Sequence, residues 1–150
     1  MKRRSIWIRA ISLLLTLVLI SPVNAYAESS TQVEARGSYY LSAYRSYCSS
    51  LGGGKVAICF EVRGTDYMDT IGVLTIEVYE SINNVDWYWV RTYLHESYPG
   101  MLVEDDYMNM GYVTYYGIAG RYYKAYVCVW AGKNGGGDTR YFWTSSISTN

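Results

Sequence analysis

The chain has few of the residues on which catalytic and disulfide-framework proteins depend. Among its 150 residues are one histidine, two prolines and three cysteines. With one imidazole, any Ser-His-Asp or Cys-His chemistry must use His95, and no G-x-S-x-G elbow accompanies it. His95 falls in a polar connection, where an exposed loop histidine is the simpler reading. Cys48, Cys59 and Cys128 are too few for a disulfide framework. Their odd number leaves at least one thiol or a link between chains. Their spacing fits no zinc pattern. No convincing helix is present in the body of the chain, and no internal repeat suggests a propeller or solenoid.

Acidic candidates are equally plain. Glu104, Asp105 and Asp106 adjoin one another and Asp138 follows the glycine run, but EF-hand spacing is absent and the run reads as a solvated loop. Glu61 and Glu77 fall on predicted outer strand faces, where glutamate is ordinary, so they are not assigned as a glycosidase pair. We therefore expect no catalytic residue, no metal and no cofactor.

The first 27 residues read as a leader. Lys2, Arg3, Arg4 and Arg9 form a basic start, residues 11–20 an apolar run, and Ala25-Tyr26-Ala27 a small-x-small cleavage site. The run is shorter than the ~20 residues of a membrane span. Residues 28–37 read as a flexible lead-in and 38–150 as one domain of a secreted, extracellular protein with no membrane anchor after cleavage. Nine basic and 13 acidic residues follow Ala27, a balance of 9 − 13 = −4. That charge has no footprint for nucleic acid and no basic amphipathic helix for a membrane surface.

What the sequence has in abundance is aromatic and β-forming residues. Tyrosine alone occurs 18 times, and aromatics make up 17% of the chain. Residues 38–48 read as an edge strand and 49–54 as a turn cluster. Residues 55–63 alternate cleanly, with Val56, Ile58, Phe60 and Val62 toward the core. Residues 64–69 read as a connection. In 71–80, Leu74, Ile76 and Val78 share one face, and Thr75, Glu77 and Tyr79 the other. Asn83-Asn84 suits a hairpin turn into 87–94. Residues 95–106 form the longest irregular stretch, with Met101 to Val103 as a pin to the core. Residues 107–116 read as a strand with a bulge at Gly111, and 122–131 and 140–145 as a final hairpin around a glycine-rich connection. About seven strands separated by turn signals predict an antiparallel β-sandwich, with a small barrel as the alternative.

Residues 122–131 resemble the penultimate strand of immunoglobulin-like and fibronectin type III sandwiches. Gly120 precedes Tyr123, and Ala125, Val127 and Val129 follow at alternate positions. The resemblance implies that Tyr123 is a corner tyrosine, ring buried and hydroxyl bonded to nearby backbone. The segments RGSYYLS (36–42), GTDYMDTIG (64–72), IEVYES (76–81), YPGML (98–102) and YYKAYVCVWAGKNGGGDTRYFWT (122–144) resemble an uncharacterised family of small secreted proteins of Gram-positive, largely clostridial bacteria. That likeness implies secretion and one domain, and carries no activity.

If Val127 and Val129 face inward, Tyr126, Cys128 and Trp130 face outward. The same parity exposes Trp87, Trp89 and Tyr93, with Tyr141 or Phe142 and Trp143 on the last strand. An immunoglobulin-like order merges these into one aromatic face, with Trp87, Trp89, Tyr126, Trp130 and Trp143 as candidate ligand-binding residues. Indole and phenol rings suit sugar stacking and protein interfaces, although cross-strand aromatic pairs also stabilise a sheet without any ligand. The expectation is a non-enzymatic binding or interaction module for a glycan, cell-wall or protein ligand. A structural or self-assembling exoprotein and a small hydrolase with an unrecognised site are the alternatives.

Overall fold

The structure, a computed structural model, describes residues 33–34 and 37–150. The leader assigned to residues 1–27 and most of the lead-in at 28–37 lie outside the described residues.

The backbone forms β1 (Val33–Glu34), β2 (Leu41–Gly52), β3 (Lys55–Ser81), β4 (Tyr88–Leu94), β5 (Leu102–Tyr116), β6 (Tyr122–Lys133), β7 (Gly136–Trp143) and β8 (Ile147–Ser148). A short 3-10 turn at Pro99–Met101 is the one helical element among the described residues. All strand pairs are antiparallel and belong to one sheet. That sheet curls on itself into two packed layers, the all-β sandwich that the strand spacing predicts.

The organising element is β3. The sequence pattern suggests two strands, at residues 55–63 and 71–80, but the chain continues as one strand of 27 residues. Its first third pairs with β2 on one side and β5 on the other. Its last third pairs with β6 and β4. Between them the ladder to β5 is broken from Arg63 to Met68. On β5, next to that break, Asp105 adopts a φ of 53°, and Asp106 accepts hydrogen bonds from the amides of Tyr107 and Met108. The two neighbouring strands thus turn the same corner together, and the Tyr67 and Tyr107 rings meet edge-on outside it at 5.6 Å. The acidic run expected in a loop therefore belongs to strand β5. The polar residues 64–67 look like a loop in sequence because a corner exposes both faces of the strand.

Alternation fills the space between the layers. Val56, Ile58, Phe60 and Val62 point inward as expected, and so do Tyr123, Ala125, Val127, Val129 and Ala131 of β6. Each fully buried Val or Ile contributes about 1.5–3 kcal/mol of transfer free energy. The layers meet through specific contacts. Tyr44 of β2 packs on Phe142 of β7 at 5.0 Å. The Tyr93 hydroxyl of β4 donates to the Thr114 carbonyl of β5 at 2.8 Å.

A bulge changes one parity. Val73 pairs with Val129 but Thr75 pairs with Cys128, so Leu74 is the extra residue. Ile71 and Val73 before it, and Ile76 and Val78 after it, are buried, while Leu74 is thrown to the outer side. A second irregularity lies opposite Val78–Tyr79, at Val90 of β4. It carries Tyr93 into the core at 4% exposure, where the sequence parity had placed it outside.

Turn chemistry matches the sequence. At Asn83 the side-chain oxygen accepts from the amides of Val85 and Asp86, and Asn84 takes a φ of 60°. The final hairpin is tighter than expected. Lys133 pairs with Gly136, leaving Asn134-Gly135 as a two-residue turn with φ of 53° and 78°, the positive-φ pair a type I′ turn requires. Among the described residues no helix is long and apolar enough to cross a membrane.

Candidate functional site: an aromatic outer face

The outer face of the layer β4-β3-β6-β7 follows from the registers. Tyr79 lies between Trp89 of β4 and Lys124 of β6, and Tyr126 lies between Glu77 and Trp143. Cys128 lies between Thr75 and Tyr141. Period-2 alternation then puts these side chains on one surface.

Their rings touch in sequence. Tyr79 meets Trp143 edge-on at 4.9 Å, Trp143 meets Tyr126 at 4.8 Å, and Tyr126 stacks on Tyr141 at 5.9 Å with 22° between planes. The Lys124 ammonium sits between two indoles, 4.3 Å from the Trp87 ring centre and 4.5 Å from that of Trp143. Both distances are within cation–π range. Trp89, 59% exposed, stands across from Tyr79. Its indole N–H donates to Thr92 Oγ1 at 3.0 Å. Trp143 is 48% and Tyr141 61% exposed.

Beside the rings is a shallow depression of about 200 Å³ lined by Leu74, Thr75, Glu77, Tyr126, Cys128 and Tyr141. It is smaller than the ~300–1,000 Å³ of enclosed small-molecule sites. The face is suited to laying a ligand across it rather than swallowing one. The Tyr79 hydroxyl donates to Glu77 at 3.0 Å, and that bond to a carboxylate raises its pKa. Cys128 points outward, as the parity requires, yet it is buried beneath Tyr141. Burial raises its thiol pKa, partly opposed by the hydrogen bond with Tyr141.

Of the five candidates from sequence, Trp87, Trp89, Tyr126 and Trp143 come to one end of this face. Trp130 does not join them. It lies on the same face, four residues along β6 from Tyr126, about 13 Å at strand rise. Its ring lies over Gly132 and Gly137, and its N–H donates to Thr70 Oγ1 at 2.8 Å. Two glycines facing each other across the hairpin are covered by an indole in place of their own side chains. Phe142 turns inward, which leaves Tyr141 and Trp143 outside. Tyr79, Lys124 and Tyr141 also belong to the face. The alternation through Tyr79 and through Tyr126 carried the signal for the first two.

The remaining candidates are scattered. His95 lies after β4 with its Nε2 3.3 Å from Glu96. Glu61 and Glu77 lie on the outer faces of opposite layers, so they do not face one another. Glu61 is buried between two guanidinium groups, with Arg45 Nε at 2.7 Å and Arg63 Nε at 2.5 Å. Asp138 accepts from the Ser38 hydroxyl and lies 3.7 Å from Arg140. Among the described residues no three His, Cys, Asp or Glu side chains cluster to hold a metal. All three cysteines are thiols: Cys48 is in the core beside Thr144, Cys59 on the outer face of the layer β2-β3-β5, and Cys128 on that of β4-β3-β6-β7. No known family, characterised protein or solved structure matches the chain.

Proposed function

We propose that this is a secreted, non-enzymatic binding module whose ligand lies across the outer face of β4-β3-β6-β7, on Trp89, Tyr79, Tyr126, Trp143 and Tyr141. The observation that carries the reading is the unbroken ring-to-ring contact from Tyr79 to Tyr141, with nearly half or more of Trp143, Trp89 and Tyr141 in water. Cross-strand pairing alone would be served by rings that cover one another. Here large apolar faces stay wet, at a cost of about 25 cal/mol for each Å² of apolar surface that a ligand would cover. Rings held by their neighbours lose little side-chain entropy on binding, which favours a stacked partner. An open, shallow surface of aromatic rings suits the C–H faces of a polysaccharide chain.

The test is a titration of tryptophan fluorescence with soluble oligosaccharides and cell-wall fragments. We expect saturable quenching, at least tenfold weaker in Trp143→Ala and Trp89→Ala, a loss of ~1.4 kcal/mol or more. Trp130→Ala, away from the ring tier, should bind within threefold of the parent protein. No saturable change with any glycan or wall fragment would remove the reading, and equal losses in all three variants would remove its location.

A further inference from the structure

Lys124 stands apart among the basic residues of β6 and its approaches. Lys133 pairs with Asp66 at 2.7 Å, and Arg121 pairs with Glu80. Lys124 makes no salt bridge among the described residues. Its ammonium is held instead between the Trp87 and Trp143 rings. The nearby carboxylate of Glu77 is engaged by the Tyr79 hydroxyl. The face therefore presents one positive charge that has ring partners but no carboxylate partner among the described residues, placed against the indole on which a ligand ring would stack.

We propose that the ligand is an acidic saccharide, and that Lys124 reads its anionic substituent while Trp143 stacks on the adjoining sugar ring. This rests on the reading of the face as a saccharide surface. An ammonium fixed between two rings is oriented before the ligand arrives, and an anion meeting it there forms a charge-assisted hydrogen bond partly shielded from water. Carboxylate and phosphate share this chemistry. The anion supplies the selectivity, and the rings the attraction common to all sugars.

The experiment compares four probes: cellohexaose and chitohexaose as neutral chains, a hyaluronan hexasaccharide as a uronate, and an oligomeric glycerol phosphate bearing sugars. Each is titrated against the parent domain, Lys124→Gln, Lys124→Arg and Trp143→Ala. We expect at least one acidic probe to bind tenfold or more tighter than the neutral chains, with the preference weakened by salt. Lys124→Gln should erase the preference, so that acidic and neutral chains bind it within threefold of each other, and Lys124→Arg should retain the preference. The two acidic probes separate a carboxylate from a phosphate source. Equal binding of neutral and acidic chains, or a preference that survives Lys124→Gln, overturns the inference and leaves the saccharide surface standing. Loss of neutral binding in Lys124→Gln makes the residue a clamp for Trp87 and Trp143, which also overturns it. No binding of any probe removes the surface reading itself.

Discussion

The Tyr123 hydroxyl donates to Glu80 Oε2 at 2.6 Å and accepts the Ile118 amide N–H at 2.7 Å. Its ring is fully buried and its hydroxyl meets nearby backbone, the two features expected of Tyr123 from the sequence after Gly120. Burial first, and then the bond to Glu80, push its pKa up to about 12. Tyr123→Phe keeps the ring but leaves Glu80 and the Ile118 amide short of a partner. We expect a loss of about 1.5–3 kcal/mol, the range for hydrogen bonds to charged groups. Urea denaturation measures it, and a change under ~0.5 kcal/mol would show that water replaces the hydroxyl without cost.

Glu61 ties acid stability to the layer β2-β3-β5. Burial alone would raise its pKa, but hydrogen bonds and charge from Arg63 and Arg45 outweigh it and hold the carboxyl below its usual value. A carboxylate with a depressed folded pKa stabilises the protein above its unfolded pKa, about 4.3. That stability is lost as pH falls through the folded value. Glu61→Gln should cost about 1–2 kcal/mol at neutral pH. This is below the ~3–5 kcal/mol of a fully buried pair, because both guanidinium groups reach solvent. Stability of the variant should also fall less steeply below pH 4.5, as thermal melts across pH would record. Parallel melting curves for the two proteins would refute the assignment.

Two glycines have different tasks and should fail differently. Gly72, at φ 147°, lies between β5 and β6, and a Cβ there would run into the Met101 carbonyl and the Asn109 amide group. Asn109 is itself buried and donates to Met101 O at 2.8 Å. Gly72→Ala should cost more than about 3 kcal/mol, combining backbone strain with overpacking, and reduce soluble yield sharply. Gly137→Ala meets the Trp130 ring and, at 2.9 Å, the Ala131 carbonyl. It should cost about 1–3 kcal/mol and shift tryptophan emission to the red as that indole lifts off the hairpin. An unchanged spectrum would mean that the ring does not rest there.

The thiols should react in a fixed order. Burial pushes Cys48 up to about 11 and raises Cys128 as well. The thiolate is the reactive form, so neither should titrate in the native protein at pH 8. Cys59 is half-buried on an outer face and should react first. A coloured disulfide reagent should count one fast thiol natively and three in denaturant. Three fast thiols would mean that the core opens readily. If a covalent dimer forms on air oxidation, Cys59→Ser should abolish it on a non-reducing gel.

The inward faces were legible because each is a run of alternate apolar residues with no polar interruption, as in Val56 to Val62 and Ala125 to Val129. The breaks in that alternation were not. Leu74 is as apolar as Val73, so nothing in composition says which of them a bulge ejects. The irregularity at Val90 hid the fate of Tyr93 for the same reason: with bulky residues at both parities of β4, both faces look like core. The corner in β3 read as a loop because polar residues mark both. Trp130 was assigned to the aromatic face on correct parity, but parity gives the side of a sheet and not the direction in which a long side chain lies along it. The absence of side chains at Gly132 and Gly137, across the turn, and the bond of its N–H to Thr70 explain why the ring leans that way.

A strand shared by both layers leaves no seam along which the molecule can come apart. Pulling β4, β5, β6 or β2 away removes hydrogen bonds from the same 27-residue segment. Neither layer survives as a partly folded remnant once β3 has gone. Amide exchange in the cores of the two layers should therefore report one opening reaction rather than two. Because most of the contacts of β3 are with strands distant in sequence, that reaction should also close slowly. The aromatic face inherits this stiffness, since its tyrosine and tryptophan rings sit on a layer that cannot loosen independently of the other.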